Sequence, residues 1–194
     1  MAGIAMSRST APLLALSLAL LAGPASAQSA WRFDRSSTEV SFVTHRFGAV
    51  VATGKFGRFE GQLSLDFDQP ERSRIRVTID TGSVSAGTAL MDGFIKGESM
   101  LDTGRFPNAI FTSTSVRRMG DRSLEIRGNL TIRSVTQPIT VTATVDGDIE
   151  RAKRGDRLPF HADGSFLRPA YGIGKDVNVV DDKVDLVIKG QVMR

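Results

Sequence analysis

From Glu39 onward, apolar and polar positions alternate along most of the chain. Val40 and Phe42 alternate with Glu39 and Ser41. Leu63, Leu65 and Phe67 alternate with Gln62, Ser64 and Asp66, and Ile75, Val77 and Ile79 with Arg74, Arg76 and Thr78. Leu124, Ile126, Leu130 and Ile132 share one phase. So do Ile139, Val141, Ala143 and Val145, and then Val184, Leu186 and Ile188. Period two is the mark of a strand with one buried face. Turn formers punctuate these segments at Gly57, Asp68-Gln69-Pro70, Gly120-Asp121 and Asp146-Gly147-Asp148. One stretch departs from this rule. Between Thr88 and Leu101, Leu90, Met91, Phe94 and Ile95 fall at i, i+1, i+4 and i+5, which predicts one or two helical turns capped by Thr88. Gly93 and Gly97 weaken that helix, and Pro107 prevents its continuation. About eight strands with a short helical insertion near residues 88–101 predict an all-β fold, either a closed antiparallel barrel or a sandwich.

The first 27 residues follow a different pattern. Arg8 precedes an apolar run from Ala11 to Leu21, and Ala25-Ser26-Ala27 supplies small residues at the right distance. This is the layout of a secretory signal peptide, with cleavage predicted after Ala27. The run is shorter than the roughly 20 residues a membrane span requires. The expected product is a periplasmic protein of residues 28–194, one domain by length, with no transmembrane anchor. The chain has no cysteine, which excludes thiol chemistry and thiolate metal sites. Its formal charge of +4 comes without a dense basic tract interleaved with aromatics, so nucleic acid is not an expected partner. The densest basic cluster, Arg151, Lys153, Arg154 and Arg157, reads as a solvated hairpin tip.

Little in the chain points to catalysis. His45 and His161 are far apart in sequence and stand in no metal-binding motif. Asp-Thr-Gly occurs at Asp80-Thr81-Gly82 and at Asp102-Thr103-Gly104, a short match to aspartic-protease sites. Those enzymes need two carboxylates sharing a proton at about 3 Å. Both copies are better read as turns. No catalytic residue, metal site or cofactor is expected.

A small closed barrel either fills with side chains or holds one slender ligand. Here several strands are apolar in both phases, as in Phe42 with Val43 and in Val187 between Leu186 and Ile188. The extra apolar side would meet the helix, a partner subunit or an enclosed lipid. Burying about 400 Å² of hydrocarbon yields about 10 kcal/mol at ~25 cal/mol per Å². Association costs of about 4–15 kcal/mol offset much of this, so a retained lipid must be long or its tunnel preformed.

Five segments resemble the YceI-like family: Trp31 to Phe42 (WRFDRSSTEVSF), Gly54 to Asp66 (GKFGRFEGQLSLD), Met91 to Thr114, Leu130 to Val141 (LTIRSVTQPITV) and Tyr171 to Asp176 (YGIGKD). They follow the family's order across nearly all of residues 28–194. The resemblance implies an eight-stranded, lipocalin-like antiparallel barrel. It also implies a long-chain amphiphile, such as a polyisoprenoid or quinone-like lipid, held without catalysis. Ser134 stands where the family usually has Gly, and Met91-Asp92 and Phe94 where it often has more polar residues. Candidates for the tunnel lining are Phe42, Phe56, Phe59, Leu63, Leu65, Phe94, Ile95, Phe111 and Phe166. Ordinary core packing is the competing role for each, because period two does not say which face is the lumen. Arg46 and Lys55 are weaker candidates for a head group. The alternatives to a lipid carrier are a filled barrel without cargo, acting as a homodimeric interaction or stress-response module, and a lipid-modifying enzyme using His45, His161 or Asp80.

Overall fold

The structure is a computed structural model and describes residues 29–194; the signal-peptide reading and the cleavage site after Ala27 lie outside the described residues. Eleven strand segments occupy eight positions around a closed antiparallel barrel. Three of those positions are long strands interrupted midway. β1 (Ser29–Phe33) and β2 (Glu39–Arg46) both pair with one edge of β11 (Lys183–Met193). β3 (Ala49–Phe56) and β4 (Phe59–Leu65) lie against β2 and β1 in turn. β5 (Arg74–Asp80) and β6 (Val84–Ser85) then pair with β4 and β3. β7 (Asn108–Arg118), β8 (Ser123–Ile132), β9 (Val135–Val145) and β10 (Leu158–Leu167) complete the meander, and β1 closes on β11.

The interruptions sit side by side and have local causes. Asp34 accepts hydrogen bonds from the Ser36 amide at 3.1 Å and the Ser36 hydroxyl at 2.6 Å, forming an Asx turn that ends β1. Gly57 donates to the Ser83 carbonyl at 3.1 Å, and Asp80 to the Arg58 carbonyl at 3.0 Å, so the breaks in two neighbouring strands brace each other. The barrel bends at this crease without losing closure.

One end of the barrel is plugged. α2 (Ile149–Lys153) is capped by Asp148, whose carboxylate accepts from the Arg151 amide. It seats the fully buried Ala152 among Trp31, Leu63, Val145, Leu158 and Val192. The basic cluster does lie in the β9–β10 connection with Arg151, Arg154 and Arg157 exposed, as expected of a solvated tip; the helix and its ion pairs are the addition. Lys153 binds Asp68 at 2.8 Å and Glu150 at 2.9 Å, and Arg157 binds Asp34 at 2.6 Å. Five residues are too few to show helical periodicity among turn formers, so the pattern concealed the helix.

The other end carries α1 (Ala89–Lys96), the β2–β3 hairpin, the β8–β9 turn and the loop between Tyr171 and β11. Thr88 caps α1 as predicted, accepting from the Met91 amide. Its apolar residues divide differently from the expectation. Only Ile95 is buried, whereas Leu90, Met91 and Phe94 stand exposed.

Candidate functional site

Large side chains inside a narrow barrel would fill it unless they lay against the wall. Three inward aromatics do so. A Cβ added at Gly54, Gly61 or Gly128 would overlap the rings of Phe42, Phe33 or Phe111 respectively. Each ring rests on a neighbouring strand where that strand has no side chain, and the axis stays open.

Two apolar chambers result. The upper one, about 300 Å³, is bordered by strand residues including Phe42, Phe56, Phe166 and Val184, and by Phe94 and Ile95 from α1. The lower one, about 150 Å³, is bordered by Leu63, Leu65 and Phe111 and reaches Val145 and Leu158 beside the α2 plug. Ile79, Leu130 and Leu186 border both, so the chambers meet end to end at this collar.

Polar groups are few and already committed. Ser73 Oγ, in the lower chamber, accepts from the Asp66 amide at 3.0 Å. In the upper chamber Thr44 donates to the Ala52 carbonyl at 3.3 Å and Thr81 to the Phe106 carbonyl at 2.7 Å. Arg168, 4% exposed, donates to the carbonyls of Ile173, Gly174, Val177, Val180 and Asp181 and pairs with Asp182 at 3.0 Å. A buried guanidinium is tolerable when its donors are matched in this way. Arg168 thereby gathers the loop that roofs the upper chamber. Arg133, in the left-handed region at φ +49, reaches from the β8–β9 turn to the carbonyls of Met100 at 3.0 Å and Gly172 at 2.7 Å. It ties the segment after α1 to that same roof.

Eight of the nine sequence candidates border the chambers: Phe42, Phe56, Phe94, Ile95 and Phe166 the upper, Leu63, Leu65 and Phe111 the lower. Phe59 borders neither. It is buried beside Phe33, edge to face at a centroid distance of 5.8 Å, and its other side meets an outer charged cleft. It sits at the crease, where its strand turns the ring aside from the axis. Lys55 is on the outer surface 3.7 Å from Glu39, remote from a head group in the lumen. Arg46 stacks over Phe47 at the rim, 4.5 Å from the ring centroid. Sequence reasoning missed Arg168 and Arg133, because a single arginine among turn residues carries no periodic signal.

The residues of the enzymatic alternative do not converge. His45 faces Asp185 at 3.5 Å, His161 faces Asp146 at 2.8 Å, and Asp80 pairs with Arg58 at 2.8 Å. Asp102 ends the turns after α1 and lies 3.5 Å from Arg105. Among the described residues no cluster of three or more His, Asp or Glu side chains is placed to hold a metal ion.

The comparisons agree with this architecture. The fold matches that of BcnA from Burkholderia cenocepacia, with a TM-score of 0.74 and 24% identity, covering 84% of this chain and 99% of that one. It also matches a polyisoprenoid binding domain from Saccharophagus degradans implicated in plant cell wall breakdown, with a TM-score of 0.66 and 15% identity, over 84% of this chain and 97% of that one. In sequence, a UPF0312 protein of Shewanella oneidensis is 33% identical over 159 residues, covering 81% of this chain and 83% of the relative. Residues 31–192 match the YceI-like domain, and with the barrel, the five ordered motifs and these relatives the chain belongs to the YceI-like family.

Proposed function

We propose that this protein is a periplasmic carrier of a long-chain amphiphilic lipid, of the polyisoprenoid or quinone class, and that it is not a catalyst. The observation that carries the reading is the pair of apolar chambers meeting at Ile79, Leu130 and Leu186, floored by α2. The name of the Saccharophagus degradans domain supports the ligand class. The basic, apolar and Ala-x-Ala opening of the sequence supports export.

The committed polar groups give the ligand an orientation. With Ser73, Thr44, Thr81 and Arg168 already bonded within the protein, a polar head buried in either chamber would lose its own hydrogen bonds to water, at about 1–3 kcal/mol per unpaired group. The hydrocarbon tail therefore enters first, toward the α2 floor, and the head remains at the open end. Recognition then rests on the tail, with weak discrimination among heads.

Native mass spectrometry of detergent-free protein, followed by organic extraction of any bound mass, tests the reading. A discrete adduct that extracts as an isoprenoid or acyl lipid is the expected result. An unliganded mass that persists after incubation with polyprenyl and fatty-acid lipids would overturn it. Orientation has its own probe. Trp31 is the single tryptophan and packs at the floor. Energy transfer from it to a fatty acid with a polyene at the tail end should exceed transfer to one labelled beside the carboxylate.

A further inference from the structure

Among the described residues nine large hydrophobic side chains stand exposed. Met119 alone is at the plugged end. Phe47, Val50, Val51, Leu90, Met91, Phe94, Leu167 and Val179 all belong to the open end. Val51, Met91, Phe94 and Val179 also border the upper chamber, so the rim is the outward continuation of the lumen wall. Exposed apolar side chains gathered at one end of a fold mark a contact with something apolar.

The backbone at Phe47 adds an independent observation. Phe47 and Gly48 form the β2–β3 turn with φ of +50 and +81. Asn is the usual first residue of such a turn, because a bulky side chain in the left-handed region is strained. Phe47 is 88% exposed, so core packing does not explain its presence there. Strain of this kind persists where it serves a function. The half-buried Arg46 holds its guanidinium over the exposed ring, a basic and aromatic pairing of the kind favoured at a membrane interface.

We propose that this rim inserts into the surface of a lipid bilayer, with Phe47, Val50 and Leu90 as its leading residues. The link to cargo loading rests on the carrier reading; the docking itself rests on the exposed residues. At this end the cations Arg46, Lys96, Arg133, Arg168, Lys175 and Lys183 are matched in number by Asp92, Glu98, Asp176, Asp181, Asp182 and Asp185, with Arg168–Asp182 and Lys183–Asp185 as ion pairs. Binding is therefore driven by apolar insertion and needs no anionic lipid. On the carrier reading a second copy on this face would seal the end opposite α2, which favours the bilayer as occupant.

Flotation with phosphatidylcholine vesicles tests the proposal, using the chain from Gln28 onward, which contains the whole barrel and omits the apolar leader. Wild type should float, equally well at low and high salt. The Phe47→Asp/Leu90→Asp double variant should partition about a hundredfold more weakly. Neither position borders a chamber, so the variant should take up a polyene fatty acid from solution as wild type does. Phe47→Trp should float, which separates loss of apolar contact from loss of the turn. Wild type that stays with the soluble fraction, a double variant that floats equally, or flotation that requires anionic lipid and vanishes in salt would overturn the proposal. Lipid-free dimerisation abolished by the double variant would assign the rim to a second copy and overturn it too. If wild type floats, the variant does not, and neither takes up the fatty acid, docking stands and the carrier reading falls.

Discussion

The ring of Phe42 rests on Gly54, its register partner in the next strand, where any side chain would collide with it. The open lumen depends on this contact and on its counterparts at Gly61 and Gly128. Gly54→Ala should drive the Phe42 ring toward the axis. Overpacking of this sort costs about 1–3 kcal/mol. Calorimetry should record a lower melting temperature, and native mass spectrometry less bound lipid. Unchanged lipid capacity would show that the ring relaxes along the wall instead.

Arg168→Met should release the roof of the upper chamber. The substitution keeps the stem but strands the carbonyls of residues 173, 177, 180 and 181, while that of Gly174 keeps the Val177 amide. A cost of about 3 kcal/mol is expected from the unpaired groups. Amide exchange should accelerate between residues 173 and 182 and stay slow in β7 to β9. Uniform acceleration would make Arg168 a support of the whole barrel.

Ser134→Gly should stabilise the fold. Ser134 has a φ of +64, beside Arg133 at +49, in a two-residue turn. A non-glycine residue in that region is strained by about 1–2 kcal/mol. The extra freedom of glycine when unfolded returns part of this. A net gain of about 0.5–1 kcal/mol corresponds to a melting temperature higher by about 1–4 °C. Arg133 itself is compensated by its two carbonyl partners, and Arg133→Gly should destabilise.

Stability should decline at both pH extremes for separate reasons. The Ser36 hydroxyl and then the Arg157 guanidinium hold the Asp34 carboxyl below its ordinary value. Its contribution is present above the unfolded value near 3.8 and is lost as pH falls through the lower folded value. Asp34→Asn should flatten the acid limb of a pH–melting curve. Burial pushes the Tyr171 phenol up to about 12 from 10.0. The folded state thus favours neutral Tyr171, and that contribution, complete below pH 10.0, disappears as pH rises toward about 12. Tyr171 is the only tyrosine, so absorbance near 295 nm reports it alone. Ionisation near pH 10.0 in the folded protein would contradict its burial.

The strands were legible because their inward residues repeat with period two over six segments; that pattern fits a barrel or a sandwich alike, and the family resemblance selected the barrel. The crease was not. Phe59 shares the phase of Leu63 and Leu65, yet it sits where β4 begins after the break and turns toward Phe33. Alternation fixes which face a residue takes, not how far along the axis the lumen extends. α1 was legible through its cap and spacing, but its spacing alone could not tell a helix packed into the core from one that presents Leu90 to its surroundings. Arg133 acts on carbonyls 33 and 39 residues away, and Arg168 on carbonyls of the irregular loop that follows it, contacts that alternation does not encode.

The floor formed by α2 turns the tunnel into a gauge. A tube open at both ends would thread tails of any length, whereas a blind one would stop a tail at Val145 and Leu158, which α2 backs through Ala152. Short tails would leave the upper chamber underfilled, and overlong ones would protrude past Phe94 and Val179. Affinity should therefore rise with tail length until both chambers are filled and then level off. In the terms of a ruler, the zero mark is the plug and the reading is taken at the mouth.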